Sequence, residues 1–108
     1  MPSAQDVRDL LAPHLMGALS LAGSKLVVTD LEVIEMGRSF TAVFELVANG
    51  ERWRVRLLCG SSEMALFDGS PSPDLVGGAA NMLRIRLFEW WETKGSERQI
   101  AKLGERLD

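Results

Sequence analysis

Three arginines at alternate positions, Arg52, Arg54 and Arg56, are the densest group of side chains in this chain that could do chemistry. Alternation puts them on one face of an extended strand. There a basic stripe with an aromatic such as Phe67 beside it could hold a single-stranded nucleic acid, by phosphate contacts and stacking. The strand pairing derived below sets Asp30, Glu32 and Glu45 on the same face, and these acids cancel much of the field. The expectation is therefore a solvated, salt-linked sheet face, with the three arginines as its candidate anion-binding element and nucleic acid disfavoured.

The remaining reactive residue types are isolated. His14 follows a proline in an apolar run, and no spacing supplies the orienting group and nucleophile that a catalytic base needs; Ser20 and Ser24 are the nearest hydroxyls. Cys59 falls on a core-facing position, which favours a small buried side chain over a reactive thiol. Gly77-Gly78 lacks the glycine-rich loop and lysine of a phosphate cradle. Glu89 and Glu92 have no second acidic cluster to complete a metal or glycosidase site. Trp53, Trp90 and Trp91 suit either core anchors or an aromatic interface. With one histidine and one cysteine, an internal disulfide, a cysteine-based zinc cluster and a multi-histidine site are all excluded. No catalytic, cofactor or metal role is assigned to any residue.

The element that must position the arginines is a hairpin from Arg38 to Cys59. Two runs of alternating apolar and polar residues flank Asn49-Gly50, the dipeptide suited to a type I′ turn. That turn pairs Leu46 with Trp53, Phe44 with Val55 and Ala42 with Leu57 on an apolar face. It pairs Val47 with Arg52, Glu45 with Arg54 and Val43 with Arg56 on the other. A slip of one residue would mix the faces. Before the hairpin, a strand from Lys25 to Met36 is joined through Gly37-Arg38. That turn sets Val33 opposite Ala42, Leu31 opposite Phe44, Thr29 opposite Leu46 and Val27 opposite Ala48. A fourth strand is expected over Ser62–Asp68, with Met64 and Leu66 facing the core.

Helices flank this meander. Ser3 is a helix cap, and Val7, Leu10, Leu11, Leu15, Ala18 and Leu19 recur at helical spacing to a stop at Gly23, with a kink expected at Pro13. The apolar run Leu10–Ala22 resembles a secretory signal core. It is preceded by Asp6, Arg8 and Asp9 rather than basic residues, so a buried helix of a cytoplasmic protein is expected. It is also shorter than the ~20 residues of a membrane span. Ser72-Pro73-Asp74 starts a second helix that runs to Lys94, and Gly95 stops it. Ser96-Glu-Arg-Gln99 opens a short third helix with Ile100, Leu103 and Leu107 as its stripe. The predicted architecture is α+β and a single domain over residues 1–108. It is a two-layer sandwich of a four-stranded antiparallel meander, two antiparallel helices on one face and a short C-terminal helix, with Trp90 and Trp91 near Phe40.

Length and composition fit this: 108 residues, 46% hydrophobic, 25% charged and a net charge of −3. The small negative charge gives no general pull toward nucleic acid or anionic lipid. The helix–meander–helix order is similar to that of dimeric type III secretion chaperones in element order alone, with no shared motif. More apolar surface is present than one copy should hide: Ile85 and Phe88 on the second helix, and Val28, Ile34, Met36, Val43, Val47 and Phe67 on the outer sheet face. The expected function is a non-enzymatic protein-interaction module of adaptor or chaperone-like kind, acting as a homodimer without a cofactor. Its candidate interface is Ile85, Phe88, Trp90, Trp91, Val43, Val47 and Phe67. The alternative is a small apolar ligand held between helices and sheet, lined by Met16, Met64 and Met82. The third reading is nucleic-acid binding through the arginine face.

Overall fold

The computed structural model describes residues 2–69, 71–93 and 103–108. In chain order its elements are α1 (Ala4–Leu15), β1 (Gly17–Leu21), β2 (Ser24–Met36), β3 (Ser39–Ala48), β4 (Glu51–Leu58), the one-turn helix α2 (Ser61–Met64) running into a 3-10 turn (Ala65–Phe67), α3 (Pro73–Thr93) and β5 (Gly104–Arg106). The described strands form one antiparallel sheet in the order β1-β2-β3-β4-β5. The fold is α+β, as expected, with five strands rather than four.

The Asn49-Gly50 hairpin has the expected register throughout, from Ala48 opposite Glu51 to Thr41 opposite Leu58. Both turn residues have positive φ, 51° and 77°, as a type I′ turn requires. Met36 to Asp30 also pair with β3 as expected. Beyond that a bulge at Thr29 shifts the register, so Val28 faces Leu46 and Val27 faces Val47, in place of the expected Thr29–Leu46 and Val27–Ala48 pairs. The bulge lets Leu26 and Val28 join Leu31 in the core and leaves Val27 in water. Two apolar side chains are buried for one exposed, each worth about 1.5–3 kcal/mol. Val28 therefore leaves the outer face to which the alternation had assigned it.

The first helix ends at Leu15, well before Gly23. Ser3 and Asp6 form the cap as reciprocal partners, and Pro13 sits inside the last turn. Gly17, with φ of 91°, turns the chain out of the helix. The remainder of the apolar run becomes β1, joined to β2 by Ala22-Gly23, both at positive φ. Leu11, Leu15 and Leu19 from this run are core residues. Because β1 pairs only as far as Val28, the carbonyl of Leu31 is left for α1, and Arg8 donates to it at 2.8 Å.

The expected strand at 62–68 is a helical turn instead. Gly60 and Glu63 cap it, and Leu66 and Phe67 are both buried, which adjacent residues of a strand with one buried face cannot be. Phe67 stacks on Phe40 with ring centroids 3.8 Å apart. Without a strand at 62–68 to carry the chain back, α3 starts from the Cys59 end and runs to the Asn49-Gly50 end. Trp90 consequently packs edge-on against Trp53 at 5.3 Å, rather than near Phe40. Ser72 caps α3 as expected, its hydroxyl accepting from the Leu75 amide. The expected stop at Gly95 and the capping box at 96–99, with Ile100, lie outside the described residues. Leu103 and Leu107 do not continue a helical stripe: Gly104–Arg106 is a strand on the β4 edge, and Leu107 donates to the carbonyl of Arg52 at 2.8 Å. The core lies between α1, α3 and the inner sheet face, centred on Leu11, Leu31, Phe44, Leu83, Leu87 and Trp90.

Candidate interaction surface

The outer face of the sheet, opposite the helices, is built as a grid by the registers of β2, β3 and β4. Its rows read Ile34–Thr41–Leu58, Glu32–Val43–Arg56, Asp30–Glu45–Arg54 and Val27–Val47–Arg52. The β2 column is acidic at its centre and the β4 column is basic. The Gly37 end is apolar: Ile34, Met36 and Leu58 are 41%, 60% and 57% exposed. Between the charged columns lies a depression of about 230 Å³ lined by Asp30, Glu32, Ile34, Val43, Glu45, Arg54 and Arg56.

Charge on this face is partly met within the chain. Arg54 donates to Glu45 at 2.7 Å, and this hydrogen bond raises the guanidinium pKa further above its ordinary value. Arg56 reaches Glu105 at 3.7 Å. Asp30, Glu32 and the Arg52 side chain form no ion pair among the described residues. The stripe thus lies where the sequence placed it. Val43 forms the floor of the depression and is nearly buried, and Val47 is half-buried. The outermost strands are short, five residues in β1 and three in β5, and β1 pairs with β2 only as far as Val28, so residues 29–36 of β2 have no described strand on that side.

The other candidates are distributed elsewhere. Phe67 and Phe88, 3% and 2% exposed, belong to this chain's own core, as does Trp90. Trp91 packs on Trp90 at 6.0 Å. Ile85 lines a separate, mostly apolar groove of about 390 Å³ with Leu21, Ala22, Phe88, Glu89, Glu92 and Thr93, and Glu92 accepts from the Ser24 hydroxyl there. His14 and Ser20, unconnected by spacing, do line one depression of about 260 Å³ with Gly77, Asn81 and Arg84. Arg84 binds the backbone carbonyl of Ser20 and the Asn81 amide oxygen. His14 itself is exposed, and no described side chain orients its ring. Met16 and Met64 pack on the core, whereas Met82 is 43% exposed, so the three do not share a pocket wall.

Cys59 is buried, and burial together with the Glu63 carboxylate pushes its thiol up to about 11. Sequence reasoning missed that carboxylate. Glu63 is 2% exposed, accepts from the Gly60 amide and pairs with Arg86 at 3.0 Å. The signal available was the Gly60-x-x-Glu63 spacing of a helix cap. The described residues contain no cluster of three or more metal-ligating side chains, and no helix among them is long and apolar enough to cross a membrane.

No protein-family model matches the chain, and no curated protein or solved structure shows significant similarity to it. The likeness in element order to secretion chaperones accordingly has no structural neighbour behind it. What the fold and face define is a small α+β domain with helices on one side of its sheet and, on the other, a charge-divided face over which none of the described helices packs.

Proposed function

We propose that this chain is a non-enzymatic protein-interaction module that makes its contact through the outer face of the sheet. The observation that carries the reading is the apolar row end of Ile34, Met36 and Leu58, all three exposed at the Gly37 end of a charged band, with Thr41 between Ile34 and Leu58. Covering each of these side chains would release about 1 kcal/mol or more. The neighbouring Asp30, Glu32 and arginines supply direction and partner choice. An apolar centre with charged surroundings is the usual composition of a contact surface. A cytoplasmic location belongs to the same reading and is supported by the lone, unpaired thiol of Cys59.

A second reading, a small apolar ligand, is supported by the groove beside Ile85 and Phe88. Nucleic acid is less favoured, because Asp30, Glu32 and Glu45 share the face with the arginines and oppose a phosphate backbone. The test is site-specific photo-cross-linking in the cells that make the protein. A benzophenone side chain at Leu58 is compared with one at Leu75 or Met82, which are exposed on α3. The reading expects a discrete protein cross-link from Leu58, abolished by Ile34→Glu, and none from the helix positions. Equal yields from all three sites, or none at any, would overturn it.

A further inference from the structure

We infer that the partner of the outer face is a second copy of this chain, related by a two-fold axis running along β3. This inference rests on the interaction reading above and names its partner.

The argument is one of symmetry and charge. Two sheets pressed face to face align their strands within about 30° of each other, so the axis can lie along the strands or across them. An axis across the strands would set each β2 column over its own copy, Asp30 and Glu32 against Asp30 and Glu32. An axis along β3 exchanges the columns and keeps every row level. Glu32 then lies over Arg56 of the second copy, Asp30 over its Arg54 and Ile34 over its Leu58, each contact occurring twice. One operation therefore pairs acid with base and also brings the two apolar ends together.

Three further features agree. The acids of β2, which lack an ion pair of their own among the described residues, are the ones that gain a cation. Glu45 lies close to the axis and would meet its own copy, but its charge is already held by Arg54 at 2.7 Å. The depression between the columns gives the incoming guanidinium groups room beside Asp30 and Glu32. Three or four strands of this length offer about 600 Å² per copy, at the small end of specific interfaces. The dimer should therefore be reversible, forming at micromolar concentration, and weakened by salt.

The experiment is sedimentation velocity on the full chain from about 1 to 300 µM, with circular dichroism to confirm folding. Wild type should pass from monomer to dimer, with at least tenfold weaker association in 0.5 M salt. Glu32→Arg alone and Arg56→Glu alone should each be monomeric, because each sets like charges together twice. An equimolar mixture of the two should recover a heterodimer, since both cross-copy pairs are then opposite in sign. Should either variant fail to fold, Asp30→Arg mixed with Arg54→Glu gives the same comparison one row along. Wild type that stays monomeric at 300 µM would overturn the inference, and a Leu58 cross-link to a different protein would then leave the interaction reading standing. Single variants that dimerise like wild type would also overturn it.

Discussion

Gly104→Ala is the substitution on which the packing of this fold can be tested most sharply. A Cβ at Gly104 would overlap Cζ2 of Trp90 and stand 2.6 Å from its Cε2 and Nε1, far inside van der Waals contact. The indole cannot swing away, because Trp90 is 1% exposed and is held by Trp53 and Trp91. Either the core yields or β5 lifts from β4. Overpacking a core costs about 1–3 kcal/mol. Overlap with a buried ring belongs in the upper part of that range, about 2–3 kcal/mol, and the reduced freedom of the unfolded alanine chain returns at most about 1 kcal/mol, leaving a net loss of at least about 1 kcal/mol. Lifting β5 sets the ceiling, since only three residues pair there. Urea unfolding followed by tryptophan fluorescence measures the loss, and a red-shifted native spectrum would report that β5 has lifted. In the Trp90→Phe background the penalty should shrink by at least about 0.5 kcal/mol, the coupling expected of residues in contact. A neutral or stabilising Gly104→Ala, or a penalty unchanged in that background, would refute the close approach of β5 to the indole.

Three further outcomes follow from the buried and capping groups. Because burial raises the Cys59 thiol to about 11, a disulfide reagent at pH 8 should react at least tenfold more slowly with the folded chain than with the unfolded one. Its raised pKa means that the contribution of Cys59 to stability is complete below pH 9 and is lost as pH climbs toward 11, which unfolding curves across that range would show. Arg86→Met should cost about 3 kcal/mol, because it leaves the Glu63 carboxylate buried without its cation, whereas Glu63→Gln should cost less; chemical denaturation of both variants decides this. Asp6 is held below the usual carboxylate range by the Ser3 amide and hydroxyl. The stability it adds is present at neutral pH and lost as pH falls through its lowered pKa, so the loss of melting temperature caused by Asp6→Asn should be full at pH 7 and shrink as pH falls below the ordinary carboxylate range.

Where turn chemistry and alternation pointed the same way, the sequence was legible. Asn49-Gly50 and Gly37-Arg38 set the registers of β2, β3 and β4, and with them the arginine column that forms half of the candidate face. Ser3 and Ser72 marked both long helices. Local signals misled where two periods fit the same residues. Leu15 and Leu19 suit a helix as well as a helix followed by a strand, and the turn that separates β1 from β2 uses Ala22 at positive φ, a conformation alanine seldom takes. The bulge at Thr29 was invisible because it follows from Leu26 and Val28 both being needed in the core, a tertiary demand. Ser62–Asp68 is too short for periodicity to separate a strand from a helical turn. β5 depends on Trp90 lying beneath Gly104, which no neighbouring residue announces. The candidate face was therefore read correctly in its charges. Its apolar part was not: Phe67 and Val28 went to the core, and Leu58, which the hairpin register sets on the outer face, was not among the candidate interface residues although it is exposed there.

The central claim is that the outer sheet face exists for contact rather than for folding, and Leu58→Glu tests it most directly. Its unfolding free energy and its association should be measured side by side, the latter as the yield of cross-links from position 34. A surface side chain this exposed should change stability by no more than about 0.5 kcal/mol, while association falls at least tenfold. Association equal to wild type in a chain of unchanged stability would contradict the claim.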